Sequence, residues 1–183
     1  DGKSIFINTF IPSVLSWKKR NAKIEIKTNY PYEENVQISY QGDDNFAYSM
    51  KIRKPSWVTG EVSISINGKK MSNILIENGF IVLYRTWKDG DKVDVYIPMK
   101  LYTESMIDNP KRVAFKYGPL VLAGVLDGKL QDPIYGIPSI VSDKKDIHQW
   151  LKMTSKSDLH LQTAHAVPKQ YVLKPFNTIH NER

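Results

Sequence analysis

Four histidines and two pairs of adjacent carboxylates are the side chains of this sequence whose types suit acid–base or metal chemistry. His160 and His165 are five residues apart, a spacing that puts them on one face of neither a helix nor a strand. No Asp or Glu joins them at the spacing of a zinc motif, so they, His148 and His180 read as ordinary surface or turn histidines. Glycosidases place two carboxyl groups across a sugar, which draws attention to Glu33-Glu34 and Asp43-Asp44. Neighbours on a strand point to opposite faces, and Asp43-Asp44 follows Gln41-Gly42 in a turn context, so neither pair forms a catalytic dyad. Cysteine is absent, which excludes disulfides, thiolate catalysis and cysteine-bound metal. There is no phosphate-cradling glycine loop, no Gly-x-Ser-x-Gly elbow and no basic strand interleaved with aromatics. The residues therefore predict no catalytic, metal or cofactor site in this chain.

The aromatics remain. Trp17, Trp57, Trp87 and Trp150 accompany ten tyrosines. Exposed aromatic faces stack on the apolar faces of sugars, whereas buried ones fill a core. Trp57 and Trp87 each fall at a strand end beside a turn. With Tyr32 they are the candidate contacts to a sugar or to a neighbouring domain.

The elements that must position these residues are strands. Phe46, Tyr48, Met50 and Ile52 alternate with Ala47, Ser49, Lys51 and Arg53, the period of a strand buried on one face. Val62, Ile64 and Ile66, Ile24 and Ile26, and Val93, Val95 and Ile97 repeat the pattern. Asn67-Gly68, Asn78-Gly79 and Asp89-Gly90 punctuate it with pairs that tolerate the positive φ of tight hairpins. The spacing predicts a four-stranded meander from Val62 to Met99. A short helix is predicted over 143–154, capped by Ser142 or Asp143, with Ile147, Trp150 and Leu151 on one face. Met106 to Lys111 interrupts the strands, and the composition loosens after residue 126 with Pro133, Gly136, Pro138 and Pro168. The expected fold is all-β: antiparallel, jelly-roll-like β-sandwich with little helix, in two packed units. Residues 1–107 form the first, and 108–183 a second, complete or incomplete.

Composition narrows the partners. The formal charge is +7, but the excess is mostly lysine, spread along the chain, with arginine only at 20, 53, 85, 112 and 183. Phosphate and base recognition favours clustered arginine forks, so the charge reads as a solvated surface and no nucleic-acid partner is expected. The longest apolar candidate, Pro119 to Leu126, is a strand's length and far short of a membrane span. The opening Asp1-Gly2-Lys3-Ser4, without an initiator Met or signal-peptide core, reads as a piece of a longer protein.

Several segments in order resemble one known family. They are Tyr30-Pro31-Tyr32-Glu33-Glu34, Ile52-Arg53-Lys54-Pro55-Ser56-Trp57 and Ile66-Asn67-Gly68, then Arg85-Thr86-Trp87-Lys88-Asp89-Gly90-Asp91. Ile97-Pro98-Met99, Val113 to Val121 and Leu173-Lys174-Pro175-Phe176 complete the set. Together they resemble the C-terminal region of glycoside hydrolase family 127, the β-L-arabinofuranosidase-like enzymes. The resemblance implies an (α/α)6 catalytic barrel followed by β-sandwich domains, with a glutamate and a zinc-associated cysteine of the barrel doing the chemistry. None of those positions maps onto this chain. In the family, Leu-Lys-Pro-Phe is followed by one more aromatic-rich strand, which this sequence does not reach. The implied role is that of a non-catalytic accessory region that packs against the barrel of a secreted or periplasmic parent, with loops 30–35 and 54–60 reaching toward substrate. The alternative is an independent carbohydrate-binding module for plant-type polysaccharide, whose mark would be an exposed aromatic row.

Overall fold

The computed structural model describes residues 3–42, 47–125 and 138–180. The chain divides into two compact units, Asp1–Met99 and Lys100–Arg183. Strand β11 (Leu101–Ser105), which the sequence reading placed before the break at 107, pairs along its length with β12 (Val113–Tyr117) in the second unit.

The first unit is a β-sandwich. One sheet holds β1 (Ser4–Ile7), β5 (Ala47–Arg53), β9 (Phe80–Thr86) and the two-residue β8 (Ile76–Glu77), in the order β1-β5-β9-β8. The other holds β2 (Ser13–Trp17), β3 (Ala22–Thr28), β4 (Asn35–Gly42), β6 (Ser63–Ile66), β7 (Lys69–Lys70) and β10 (Lys92–Tyr96). Their order is β2-β3-β4-β10-β6-β7, and every pairing in the unit is antiparallel except β1 with β5. Period-two alternation places the core. Tyr48, Met50 and Ile52 of β5 meet Val36, Ile38 and Tyr40 of β4 and Val93 and Val95 of β10 in one buried cluster. Phe46 lies outside the described residues.

The meander does not form. Asn67-Gly68 and Asn78-Gly79 do make tight turns, with φ of 52° and 78° in the first pair and 49° and 79° in the second. They join β6 to β7 and β8 to β9 as hairpins. Asp89-Gly90 instead carries the chain from one sheet to the other, since β9 pairs with β5 and β8 whereas β10 returns between β4 and β6. The segment between β7 and β8 also changes sheet. A turn pair sets local dihedrals, but the destination of the next strand is set by which apolar face it must cover.

The second unit is a six-stranded antiparallel sheet plus a two-stranded ladder. The sheet order is β11-β12-β13-β18-β16-β15, with β13 (Leu120–Gly124), β15 (Leu151–Ser155), β16 (His160–Thr163) and β18 (Val172–Pro175). The ladder pairs β14 (Ser139–Ile140) with β17 (Ala166–Val167). Leu122, Leu151, Leu161 and Leu173 form the buried cluster. The helix expected over 143–154 shrinks to one turn, α1 (Ile147–Trp150), capped by neither Ser142 nor Asp143 but by Asp146, whose carboxylate accepts the His148 N–H at 3.0 Å. Leu151 leaves the helix because Leu151–Ser155 pairs with β16 through Leu151↔Thr163 and Lys152↔Gln162. Pro133 and Gly136 lie outside the described residues.

Candidate functional site

The strongest polar constellation is a buried knot around Asp91, which is 5% exposed. Its Oδ1 accepts from the Asn67 side-chain amide at 2.7 Å, its Oδ2 from the Lys88 N–H at 2.9 Å, and the Arg85 guanidinium stands 3.3 Å away. Asn67 returns the favour to the next residue, accepting the Lys92 N–H at 2.8 Å. The Asp91 C=O accepts the Tyr40 N–H, and the Arg85 guanidinium lies 5.3 Å from the Trp87 ring. One carboxylate thus ties the β6–β7 hairpin, the end of β9 and the start of β10 together. Its lone pairs are occupied by fixed internal donors, which suits a structural role and leaves no face for a substrate.

Glu34 is held in the same manner. Its carboxylate accepts the Met99 N–H at 2.6 Å and the Tyr96 hydroxyl at 3.0 Å. Its neighbour Glu33 accepts from the Asn29 amide at 2.9 Å. The two carboxylates therefore serve separate local bonds rather than one site, and Asp43-Asp44 lies outside the described residues. Among the described residues no three His, Cys, Asp or Glu side chains converge closely enough to hold a metal ion.

The three candidate aromatics part company. Trp87 is 0% exposed. It donates its indole N–H to the Tyr48 carbonyl at 3.2 Å and packs among Tyr40 and Tyr48. Its ring is inside the sandwich core, out of reach of a sugar or a neighbouring domain, because the strand-end turn after β9 folds inward around Asp91. Tyr32 is exposed in the β3–β4 loop, where its N–H is donated to the Asn29 carbonyl. Trp57 is half-buried, with one side on the core and the other on a groove.

That groove, about 390 Å³, lies where the segment after β1, the β3–β4 loop and the β5–β6 loop meet. Its walls are Trp57, Pro31, Tyr30 and Phe10, the last two in edge-to-face contact at 5.2 Å. Asn8, Thr9 and Ser56 supply polar groups, and Arg53 is the one charged residue that lines it. Among the described residues no ion pair involves Arg53. The Pro55 carbonyl accepts the Val58 N–H at 3.1 Å, and the Lys54 N–H is donated to Gly79 at 2.8 Å, which fixes the loop that carries Trp57.

A second exposed feature escaped the sequence reading. The outer face of the sheet β1-β5-β9-β8 presents Phe6 (54% exposed) and Tyr84 (71% exposed). Pairing of Phe6 with Lys51, Lys51 with Val82 and Ser49 with Tyr84 puts these side chains on that one face. Phe6 and Phe80 stack edge to face at 5.4 Å, and the Lys51 ammonium sits 5.2 Å from the Phe6 ring. The outer face of the other sheet is mostly polar, with Lys23, Glu25, Gln37, Ser39, Ser65 and Asp94 in register and Val14 and Tyr96 its exposed apolar or aromatic members. The signal was available: β9 reads Phe-Ile-Val-Leu-Tyr, apolar at consecutive positions, the pattern of a strand covered on both faces.

No curated protein matches the sequence. A crystal structure of a glycoside hydrolase family 127 β-L-arabinofuranosidase from Geobacillus stearothermophilus T6 superposes with a TM-score of 0.72 at 20% identity, over 96% of this chain and 31% of its own. A solved glycoside hydrolase gives 0.70 at 22% identity, over 97% of this chain and 34% of its own. A solved family 127 β-arabinofuranosidase gives 0.62 at 19% identity, over 95% and 32%. The chain thus spans about a third of the length of these solved relatives. Residues 4–99, the sandwich built around the Asp91 knot, match the middle domain of the family 127 β-L-arabinofuranosidases, and the chain belongs to that family.

Proposed function

We propose that this chain is the non-catalytic accessory region of a longer family 127 glycoside hydrolase, and that it packs against the catalytic barrel of the same polypeptide. The observation that carries the reading is the outer face of the sheet β1-β5-β9-β8. A sandwich face turned to water alternates apolar-in with polar-out, as most of the opposite sheet does, with Val14 and Tyr96 as its exceptions. Here Phe6, Phe80, Val82 and Tyr84 occupy outward positions instead. Large exposed apolar patches mark interaction sites, and a barrel-bearing parent supplies a covering surface. Two carboxylates of the first unit support the reading from the other side. Asp91 and Glu34 are committed to internal donors, so hydrolysis of the arabinofuranosidase type is assigned to the barrel.

The test is to express the parent's barrel and this chain as separate polypeptides and measure co-purification. The wild-type chain is expected to co-purify, and the double variant Phe6→Ser, Tyr84→Ser to be lost from the complex at unchanged melting temperature. Failure of the wild-type pair to associate would overturn the accessory role, and undiminished association of the double variant would move the contact to another face.

A further inference from the structure

We propose that the groove between the β3–β4 and β5–β6 loops is a binding site for a carboxylate-bearing sugar, a uronic-acid residue of a glycan. It adjoins the exposed sheet face, because Arg53 is an outward residue of β5 paired with Phe80, but its other walls come from loops. Arg53 is its one charged lining residue and has no acidic partner among the described residues. A guanidinium presents a rigid planar fork whose best complement is a carboxylate taken by two parallel N–H bonds. Beside it stand the half-buried Trp57 ring and Pro31, apolar surfaces suited to the C–H face of a pyranose. Asn8, Thr9 and Ser56, all exposed, add amide and hydroxyl groups within the same groove. These are the polar complements that ring hydroxyls require. At about 390 Å³ the groove falls within the roughly 300–1,000 Å³ of small-ligand sites. The β5–β6 loop is held by backbone bonds from Val58 to Pro55 and from Lys54 to Gly79, and the β3–β4 loop by one from Tyr32 to Asn29, which lowers the ordering that binding must supply.

The experiment is calorimetric titration of the 183-residue chain with trigalacturonic acid, with its fully methyl-esterified form, with neutral arabinotriose and with an acidic tripeptide. One site for trigalacturonic acid is expected. Arg53→Gln should weaken it about tenfold to a hundredfold, the range expected for a charge-assisted pair, and methyl esterification should do the same. Trp57→Ala should weaken binding with no change of charge. Lys69→Gln, which removes an exposed cation elsewhere, should leave it unchanged. Equal losses for Arg53→Gln and Lys69→Gln would reduce the effect to diffuse cationic attraction and overturn the site. So would an ester or an arabinotriose that binds as tightly as the acid, or absence of any binding to the wild type. Tighter, Arg53-dependent binding of the peptide would give the groove to a protein partner instead. None of these outcomes depends on whether the chain co-purifies with a barrel.

Discussion

Replacing Asp91 with Ala should collapse more of the first unit than any other polar substitution in it. The carboxylate is 5% exposed and accepts from two fixed donors, at 2.7 Å and 2.9 Å, with the Arg85 guanidinium at 3.3 Å. A hydrogen bond to a charged buried group is worth roughly 1.5–3 kcal/mol when removed. The arginine adds little, because its side chain is 32% exposed and its charge can be solvated once the partner is gone. These contributions share one acceptor and do not simply add, which sets the expected loss at about 3–4 kcal/mol, a large share of the roughly 5–15 kcal/mol that holds a domain folded. At roughly 4–8 °C per kcal/mol for a domain of this size, the melting temperature should fall by roughly 12–32 °C. Near-ultraviolet circular dichroism is the assay, since the Tyr40, Tyr48 and Trp87 rings cluster in the first unit's core and report its packing. Asp89→Ala is the control, an exposed carboxylate two residues away that accepts the Gly42 N–H at 3.1 Å; its loss should stay under about 1 kcal/mol. If Asp91→Ala melts no lower than Asp89→Ala, the knot does not hold the sandwich and the argument fails.

Two further outcomes follow from local geometry. Gly79→Ala should lower stability by about 1 kcal/mol in urea titration, because φ is +79° there and a Cβ is strained in that region even though nothing crowds it. The Ser155 hydroxyl, and then that of Ser157, donate to the Asp158 carboxylate and lower its pKa from the ordinary value of 3.8. Such a group contributes stability above its unfolded pKa and loses it as pH falls through the folded one. Carbon-detected NMR titration should therefore place Asp158 below an ordinary aspartate, and Ser155→Ala should move it back up.

Strands β3, β5, β6 and β10 of the first unit were legible because each alternates apolar with polar positions. Tyr48, Met50 and Ile52, or Val93, Val95 and Ile97, betray a buried side through simple alternation. What alternation does not contain is the partner. The Asn-Gly pairs at 67–68 and 78–79 specify positive φ and hence hairpins, whereas Asp89-Gly90 specifies only one such angle, at Gly90, and the chain changes sheet there. The burial of Asp91 depends on a donor from Asn67, twenty-four positions earlier, which no local pattern announces. Trp57 and Trp87 read alike, each at a strand end beside a turn, yet one lines a groove and the other is sealed in. The difference lies in which way the backbone folds after the strand, and that is decided by long-range packing. Arg53 was hidden for a related reason. It reads as an ordinary outward position of an alternating strand, and only the placement of two other loops makes a groove beside it.

The position of β10 has a consequence for how the protein is made. It is the last strand of the first unit to leave the ribosome, and it sits between β4 and β6. Its Asp94 pairs with Gln37, 57 residues earlier. At roughly 5–20 residues per second of synthesis, β4 waits on the order of 3–11 seconds for its neighbour, with one edge unpaired. The nascent sandwich is therefore two unfinished halves until its central strand arrives, and those seconds are when it most needs shelter from other chains.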